Sequence, residues 1–287
     1  ETLNLKGFYL TDNIENPVKW QFKTDVFIDG GGFVVIWADD AGSGIHSNFK
    51  LSADGEEIAL FSPSKILLDS VSYLAQKTDV SAGRSQDGIG VWGYYLKPTP
   101  GASNSGSDFY PDFAKNVPEF SIRGGIFDQD QSLQLSTRLG GTIRYTLDGS
   151  EPEESSLIYS GPINLTGNSI VRARIFKSGI IPGPVVTNSY FTNGDLTARN
   201  LPVISIATDP INLWDAERGI YVQSFKPLWE IPANIELFEN NGSDRSAFNE
   251  RVGIKINGLY SWKLPQKMLG IYFRNQYGES SLPYSLL

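Results

Sequence analysis

The sequence predicts a mainly β protein that is rich in turns. Short apolar stretches are separated by turn residues roughly every 8 to 12 positions, which is typical of β-sandwiches. The chain contains 29 Gly and 16 Pro in 287 residues, and these residues supply such turns. Residues 142–147 alternate polar and apolar side chains, the period of a half-buried strand. Together these observations favour strands over helices along most of the chain.

Composition limits the class of protein. The length predicts about two domains, with three small ones as an alternative. Apolar residues make up 40 % of the chain and aromatic residues 12 %, enough to form packed cores. The net charge of −8 argues against a nucleic-acid partner. Since there is no cysteine, disulfides, thiolate metal sites and cysteine nucleophiles are excluded. No apolar run is long enough to span a membrane, and no signal peptide is visible.

Residues 1–104 form the first predicted module. Residues 33–37 (FVVIW) follow three glycines and predict a strand buried on both faces, whereas residues 58–61 and 66–68 predict a hairpin across Ser62, Pro63 and Ser64. Residues 5–12 (LKGFYLTD), 19–22 (KWQF), 48–52 (NFKLS), 55–58 (GEEI) and 98–101 (PTPG) resemble the bacterial lamin-tail domain, an immunoglobulin-like sandwich. That family normally begins with an earlier strand pair, which is absent here. Either the sequence begins inside the domain or a partner strand comes from elsewhere.

The stretch from residue 141 to 162 is the centre of the second predicted module, residues 118–192. The alternating strand is followed by Asp148 and Gly149, which favour a tight turn, and apolar residues resume at Leu157. Residues 143–146 (IRYT), 148–152 (DGSEP), Tyr159, 161–162 (GP) and Ala173 resemble the C-terminal β-sandwich of chitobiase and β-hexosaminidase-type proteins. The resemblance implies a fibronectin-like accessory module that lies beside catalytic domains and is not itself catalytic. Polar residues 102–117 and 192–200 are typical of linkers.

Residues 200–287 form the third predicted segment, which is strand-rich with some helix. Residues 201–206 predict a strand, and Asp209 with Pro210 predicts a turn or short helix. The spacing of residues 235–238, 252–256, 265–267 and 271–274 resembles the N-terminal part of the CotH family, the spore-coat protein kinases. That resemblance implies an atypical kinase in which Lys267, with Arg274 nearby, contacts the phosphates of Mg-ATP. The family's catalytic and metal-binding acidic residues are expected beyond Leu287, so phosphate transfer by this chain is not expected.

Three other patterns have structural interpretations that outweigh chemical ones. Residues 88–93 (GIGVWG) match G-x-G-x-x-G, but no helix pattern follows, so a β-turn is favoured over a dinucleotide site. His46 is the only histidine and has no nucleophile motif near it. The acidic groups at residues 39–40, 128–130 and 151–154 lack the spacing of a calcium loop and are typical of solvated turns. No metal ligand set is predicted.

Large aromatic side chains offer a weaker hypothesis, a platform on which sugars stack. The candidates are Trp20, Trp92 and Tyr94, followed by Tyr95, Trp229 and Trp262.

The overall prediction is two immunoglobulin- or fibronectin-like β-sandwiches followed by a partial, strand-rich α+β segment. The resemblances imply non-catalytic binding or structural modules of an exported bacterial protein, extracellular or at the cell surface, that contact protein or glycan. The alternative is the front end of a CotH-like kinase. No cofactor is predicted for this chain, although the intact protein of the alternative would use Mg-ATP.

Overall fold

The computed structural model describes residues 1–77, 80–192, 201–222, 229–239, 245–258, 260, 263–282 and 284–285. The chain divides into two compact units, Glu1–Asp112 and Phe113–Leu287. The second unit contains both the second predicted module and the third predicted segment. The division into three modules stays a prediction.

Strands account for most of the regular structure of the first unit. A four-stranded antiparallel sheet has the order β3-β2-β5-β6, and β1-β4 and β7-β8 form two further antiparallel pairs. The strands are β1 (Thr2–Asn4), β2 (Tyr9–Thr11), β3 (Trp20–Gln21), β4 (Phe27–Asp29), β5 (Gly55–Phe61), β6 (Leu67–Leu74), β7 (Ser81–Gln86) and β8 (Ile89–Tyr95). The predicted hairpin across residues 62–64 is confirmed, because β5 and β6 pair from Gly55 opposite Leu74 to Phe61 opposite Leu67.

The core of the first unit contains Leu5, Trp20, Phe22 and Phe49, with half-buried side chains packed around them. The prediction that residues 33–37 form a strand buried on both faces is wrong. Val34 and Ile36 pack against the core, whereas Phe33 and Trp37 are exposed and only Trp37 makes a β-bridge in this stretch. An extended segment at the surface buries alternate side chains, so a continuous apolar run did not indicate burial on both faces.

The first part of the second unit is a pair of facing β-layers. Its main sheet has the order β10-β17-β16-β13-β14, with β11-β15 and β12-β9 as separate antiparallel pairs. Buried residues of these strands, including Leu133, Leu165, Val171 and Ile175, form one core. The strands are β9 (Glu119–Phe120), β10 (Gly125–Ile126), β11 (Gln131–Leu133), β12 (Leu135–Ser136), β13 (Thr142–Thr146), β14 (Leu157–Ile158), β15 (Ile163–Leu165), β16 (Ser169–Phe176) and β17 (Val186–Phe191).

The turn predicted after β13 is confirmed. Gly149 adopts a φ of 85°, in the left-handed region that favours glycine. The Asp148 carboxylate accepts hydrogen bonds from the Ser150 backbone N–H at 3.0 Å and from the Ser150 hydroxyl at 2.6 Å. Those bonds hold the pKa of Asp148 below its ordinary value. The chain then returns as β14, whose Ile158 lies opposite Arg144.

The second part of this unit is a four-stranded antiparallel sheet of order β18-β19-β20-β21. The predicted strand and short helix are both confirmed here. Asp209 caps the helix, and its side chain accepts a hydrogen bond from the Ile211 N–H. The elements are β18 (Val203–Ala207), α1 (Pro210–Trp214), β19 (Ile231–Phe238), β20 (Phe248–Ile256) and β21 (Leu269–Tyr272).

The predicted fold class is confirmed, since the described chain is almost entirely β with several antiparallel sheets. Helix α1, five residues long, is the one α-helix in the described ranges. No helix among the described residues is both long and apolar enough to cross a membrane.

Candidate functional site

A groove of about 360 Å³ lies beside strand β6 in the first unit. Alternation along β6 places Val71 and Tyr73 on the same face, and the antiparallel register puts Ile58 of β5 opposite Val71. The β7-β8 hairpin contributes Ala82 and Trp92. The complete lining is Leu51, Ser52, Ala53, Ile58, Val71, Tyr73, Gln76, Ala82 and Trp92. Most of these side chains are apolar, and the volume falls within the range of small-molecule sites.

The β7-β8 hairpin owes its shape to the glycines of the G-x-G-x-x-G pattern. Gly88 and Gly90 have φ values of 69° and 88° at the hairpin turn and its exit. A Cβ at Gly93 would lie 2.4 Å from the ring of Phe109, so only glycine fits there. Because a strand and not a helix follows Gly88, the prediction of a turn is confirmed. The hairpin positions Trp92 directly opposite Arg84.

Trp92 is held by neighbouring side chains and remains accessible. Its side chain is 42 % exposed, and the guanidinium carbon of Arg84 lies 5.2 Å from the centroid of its ring. An amino group of Arg84 is in turn 2.6 Å from Oδ1 of Asp69 on β6. This chain of contacts connects β6 to β8 and limits the orientations of the indole. A rigid, partly exposed aromatic ring therefore forms one wall of the groove.

Tyr73 provides the second aromatic ring and a polar group. Its hydroxyl donates a hydrogen bond to the Ser52 carbonyl oxygen at 3.1 Å. Burial raises the pKa of Tyr73, and the negative charge of Glu56 adds to the rise, so the phenol is neutral at physiological pH. The Gln76 amide donates to the Leu74 carbonyl oxygen at 2.6 Å, and its own carbonyl oxygen is an acceptor. Aromatic rings with a few hydroxyl and amide groups suit a neutral ligand that has both apolar and hydroxyl-bearing faces.

The other predicted aromatic residues occupy different environments. Trp20 is only 4 % exposed, and its ring centroid lies 4.6 Å from that of Phe22 in the core. This burial argues against a role in stacking on sugars. Tyr94 is half-buried, exchanges backbone hydrogen bonds with Tyr110, and does not line the groove. Tyr95 is buried, and Trp229, in the second unit, is half-buried. Trp262 lies outside the described residues.

Lys267 and Arg274, predicted to contact nucleotide phosphates, flank β21 in the second unit. The Arg274 guanidinium donates two hydrogen bonds to Glu230, at 2.8 and 2.9 Å. Burial alone would raise the pKa of Glu230, but hydrogen bonds from Arg274 and Tyr277 hold it below its ordinary value. The Lys267 ammonium lies 5.7 Å from the centroid of the Tyr221 ring. The pair with Glu230 uses two of the five N–H donors of Arg274 and neutralises its charge.

His46 pairs with an acidic residue at the surface of the first unit. Its Nδ1 lies 2.6 Å from Oδ2 of Asp39, and its ring stacks on Trp37 at 6.3 Å between centroids. Hydrogen bonds from His46 and from the Ala41 backbone lower the pKa of Asp39. Within the described ranges, no three His, Asp or Glu side chains are grouped to hold a metal ion.

The role of Tyr73 in the groove, and of Arg84 and Asp69 in holding Trp92, was not anticipated from the sequence. Tyr73, Arg84 and Asp69 join Trp92 only because the β7-β8 hairpin lies beside β6. Alternation along β6 places residues 69, 71 and 73 on one face of the strand. That local pattern does not indicate which other element of the chain faces these residues.

Comparison with known families supports one part of the sequence analysis. Residues 122–187 match the family model for the chitobiase/beta-hexosaminidase C-terminal domain. This range covers most of the core described for the first part of the second unit, and the predicted resemblance is confirmed there. Comparisons with curated proteins and with solved structures give no match.

Proposed function

We propose that this chain is a non-catalytic binding and positioning protein whose first unit binds glycan in the Trp92 groove. The observation that carries the proposal is the pairing of Trp92 and Tyr73 around an apolar floor. The apolar faces of sugar rings pack against aromatic rings, while their hydroxyls bond to groups such as those of Gln76 and Ser52. The match of residues 122–187 supports a carbohydrate-binding or structural role for the neighbouring region.

The matched domain itself is better suited to positioning than to binding. Its aromatic side chains Phe127, Tyr145 and Tyr159 are half-buried and pack against its core, and Phe176 is buried. None of the described aromatic residues in 122–187 is exposed. A stacking platform needs an accessible ring, so the groove of the first unit is the better candidate. We therefore assign ligand contact to the first unit and a structural role to residues 122–187.

The family resemblances of the sequence support a proposal for where the protein is located. A lamin-tail-like sandwich at residues 1–104 and a chitobiase-type sandwich suit an exported bacterial protein that works outside the cell or at its surface. Fractionation of the native cells with an antibody against this chain tests the location. Recovery only in the cytoplasmic fraction would contradict it.

Replacement of Trp92 by alanine is expected to weaken glycan binding. Removal of the ring takes away the stacking surface, and we expect affinity to fall at least about tenfold, equivalent to about 1.4 kcal/mol. Calorimetric titration with β-linked glucose and N-acetylglucosamine oligosaccharides compares the variant with the unaltered chain, and quenching of tryptophan fluorescence checks binding by the unaltered chain.

The matched control is Trp37→Ala, which removes an exposed tryptophan of the same unit that lies outside the groove. Binding lost in the Trp37 variant and kept in the Trp92 variant would contradict the assignment of the groove. Absence of binding by the unaltered chain across a broad glycan panel would end the glycan proposal.

The alternative proposal is the front end of a CotH-like atypical kinase that binds Mg-ATP through Lys267. The contacts of Arg274 with Glu230 weigh against it, because the Glu230 carboxylate already neutralises the guanidinium charge that a phosphate would use. Titration of the chain with Mg-ATP tests the idea. Saturable binding that is lost in Lys267→Ala would support the kinase hypothesis, and no heat of binding would remove it for this chain.

A further inference from the structure

Two sheets of the second unit meet at a buried cluster of polar side chains. Strand β17 of the first sheet contacts β19 of the second. The hydroxyls of Ser189 on β17 and Ser205 on β18 are 2.8 Å apart. Asn249 on β20 donates to the Thr187 carbonyl oxygen at 2.8 Å, which again joins the two sheets. All of these contacts surround the side chain of Glu236.

Glu236 is buried at the centre of this cluster. Its side chain is on β19, and the residue is 1 % exposed. Oε1 accepts a hydrogen bond from the Asn249 amide at 3.0 Å, whereas Oε2 has no hydrogen-bond partner among the described residues. A Cβ at Gly124, the residue before β10, would lie 2.5 Å from Oε1, so the backbone that enters the first sheet packs closely against the carboxyl group. The carboxyl group thus lies between the two sheets.

No described cation neutralises this carboxyl group. Glu236 forms no ion pair with any Lys or Arg in the described ranges. The groups that face it are Ser189 and the Tyr190 phenol from β17, the Asn249 amide from β20 and the backbone at Gly124. Tyr190 is itself buried and neutral, and its hydroxyl donates to the Ile122 carbonyl oxygen at 2.7 Å. A buried ionised carboxylate without a cation is strongly disfavoured.

We propose that Glu236 is a pH-dependent clasp between the two sheets of the second unit, closed when the carboxyl is neutral and loosened when it ionises. Burial raises the pKa of Glu236 to about 7, against the opposing effect of its contacts with Ser189. Ionisation of the Glu236 carboxyl group therefore occurs near neutral pH, where a small change in pH alters its charge. The device is independent of the proposed glycan groove, which is in the first unit.

The direction of the effect follows from proton linkage. Between the unfolded pKa near 4.5 and the folded value of about 7, the folded state holds a proton that the unfolded state has released. Stability is therefore full at acidic pH and falls as the pH rises through this window. From about pH 5 to about pH 8.5 we expect the unfolding constant of the second unit to rise on the order of 50-fold. The only histidine, His46, is in the first unit, so no histidine of the second unit contributes.

The test measures amide hydrogen exchange in β17 and β19 at about pH 5 and about pH 8.5. It compares the whole chain with its Glu236→Gln variant. The variant carries no titrating group at this position, so its exchange should change far less with pH than that of the unaltered chain. Glu250→Gln is the first control, because burial and the charge of Glu279 also raise the pKa of Glu250 on neighbouring β20. Glu154→Gln, at an exposed turn, is the second. Equal pH dependence in the unaltered chain and the Glu236 variant would overturn the proposal.

A second measurement does not depend on whether the Glu236→Gln variant folds. Carbon-13 NMR of the side-chain carboxyls in the unaltered chain follows the titration of Glu236 directly. A midpoint near 7 together with pH-dependent exchange in β17 supports the clasp. A midpoint in the ordinary range of glutamate would contradict it.

Discussion

Position 93 of the first unit has no room for a side chain. The ring of Phe109 and the carbonyl oxygen of Tyr110 lie 2.4 and 2.6 Å from where a Cβ would be. Tyr110 and Tyr94 exchange backbone hydrogen bonds of 2.8 and 3.0 Å across the same contact. One glycine thus allows a neighbouring segment to cover the inner side of β8, the strand that carries Trp92.

The variant Gly93→Ala should destabilise the first unit. The added methyl group must displace either the Phe109 ring or the backbone at Tyr110, and overpacking of this kind costs about 1 to 3 kcal/mol. Urea unfolding followed by tryptophan fluorescence measures the change. Gly30→Ala is the matched control, since the nearest atom would lie 3.6 Å from the added methyl group and the φ of Gly30 is not left-handed. Equal stability of the two variants would show that the Phe109 contact adapts without cost.

At the scale of elements, the β13-β14 turn holds the matched domain's sheet together. Arg172 of β16 donates to the Gly149 carbonyl oxygen at 2.8 Å and pairs with Glu151 at 3.0 Å. The Asp148 carboxylate closes the turn through its bonds to Ser150. The turn is therefore fixed both by its own residues and by the adjacent strand.

Asp148→Ala should lower the unfolding free energy of the second unit by about 1 kcal/mol, the usual value for hydrogen bonds of this kind. The pKa of Asp148 is lowered in the folded state. Its contribution is therefore present above the unfolded value of 3.8 and is lost as the pH falls through the folded pKa. The difference between the variant and the unaltered chain should shrink at strongly acidic pH in chemical unfolding experiments. Asp128→Ala, in another exposed turn, is the control; a loss of the same size there would mean that the Ser150 bonds contribute nothing specific.

At the scale of the whole molecule, the chain consists of two compact units that meet in sequence at residues 112 and 113. Each has its own buried core. A unit with its own core is expected to fold independently.

The fragments 1–112 and 113–287 should each give the melting transition that they show within the whole chain. Calorimetry of the chain should resolve two transitions, and the circular dichroism of the fragments should sum to that of the chain. A fragment that fails to fold alone, or a single transition for both units, would contradict the independence of the cores.

The sequence determined the local structure where one physical signal dominated. The period of residues 142–147, the Asp148 and Gly149 turn, the hairpin before Leu67 and the turn or short helix at Asp209 and Pro210 were all predicted, because each depends on neighbouring residues alone. The signal failed at residues 33–37. The apolar residues there indicated correctly that the segment contacts a core. They did not indicate that only alternate side chains, those of Val34 and Ile36, make that contact.

Contacts between distant parts of the chain placed the residues of the two proposals. Trp20 and Trp92 are the same residue type, yet Trp20 fills a core and Trp92 lines a groove, because burial depends on which elements pack together. The charge state of Glu236 likewise depends on Ser189, Asn249 and Gly124, which are distant in sequence and close in space. Composition and local patterns were enough to predict the class of fold, the turns and the family resemblance that the match at residues 122–187 supports. Only the packing of strands from separate parts of the chain placed the groove and buried the carboxyl group, because those contacts have no local signal.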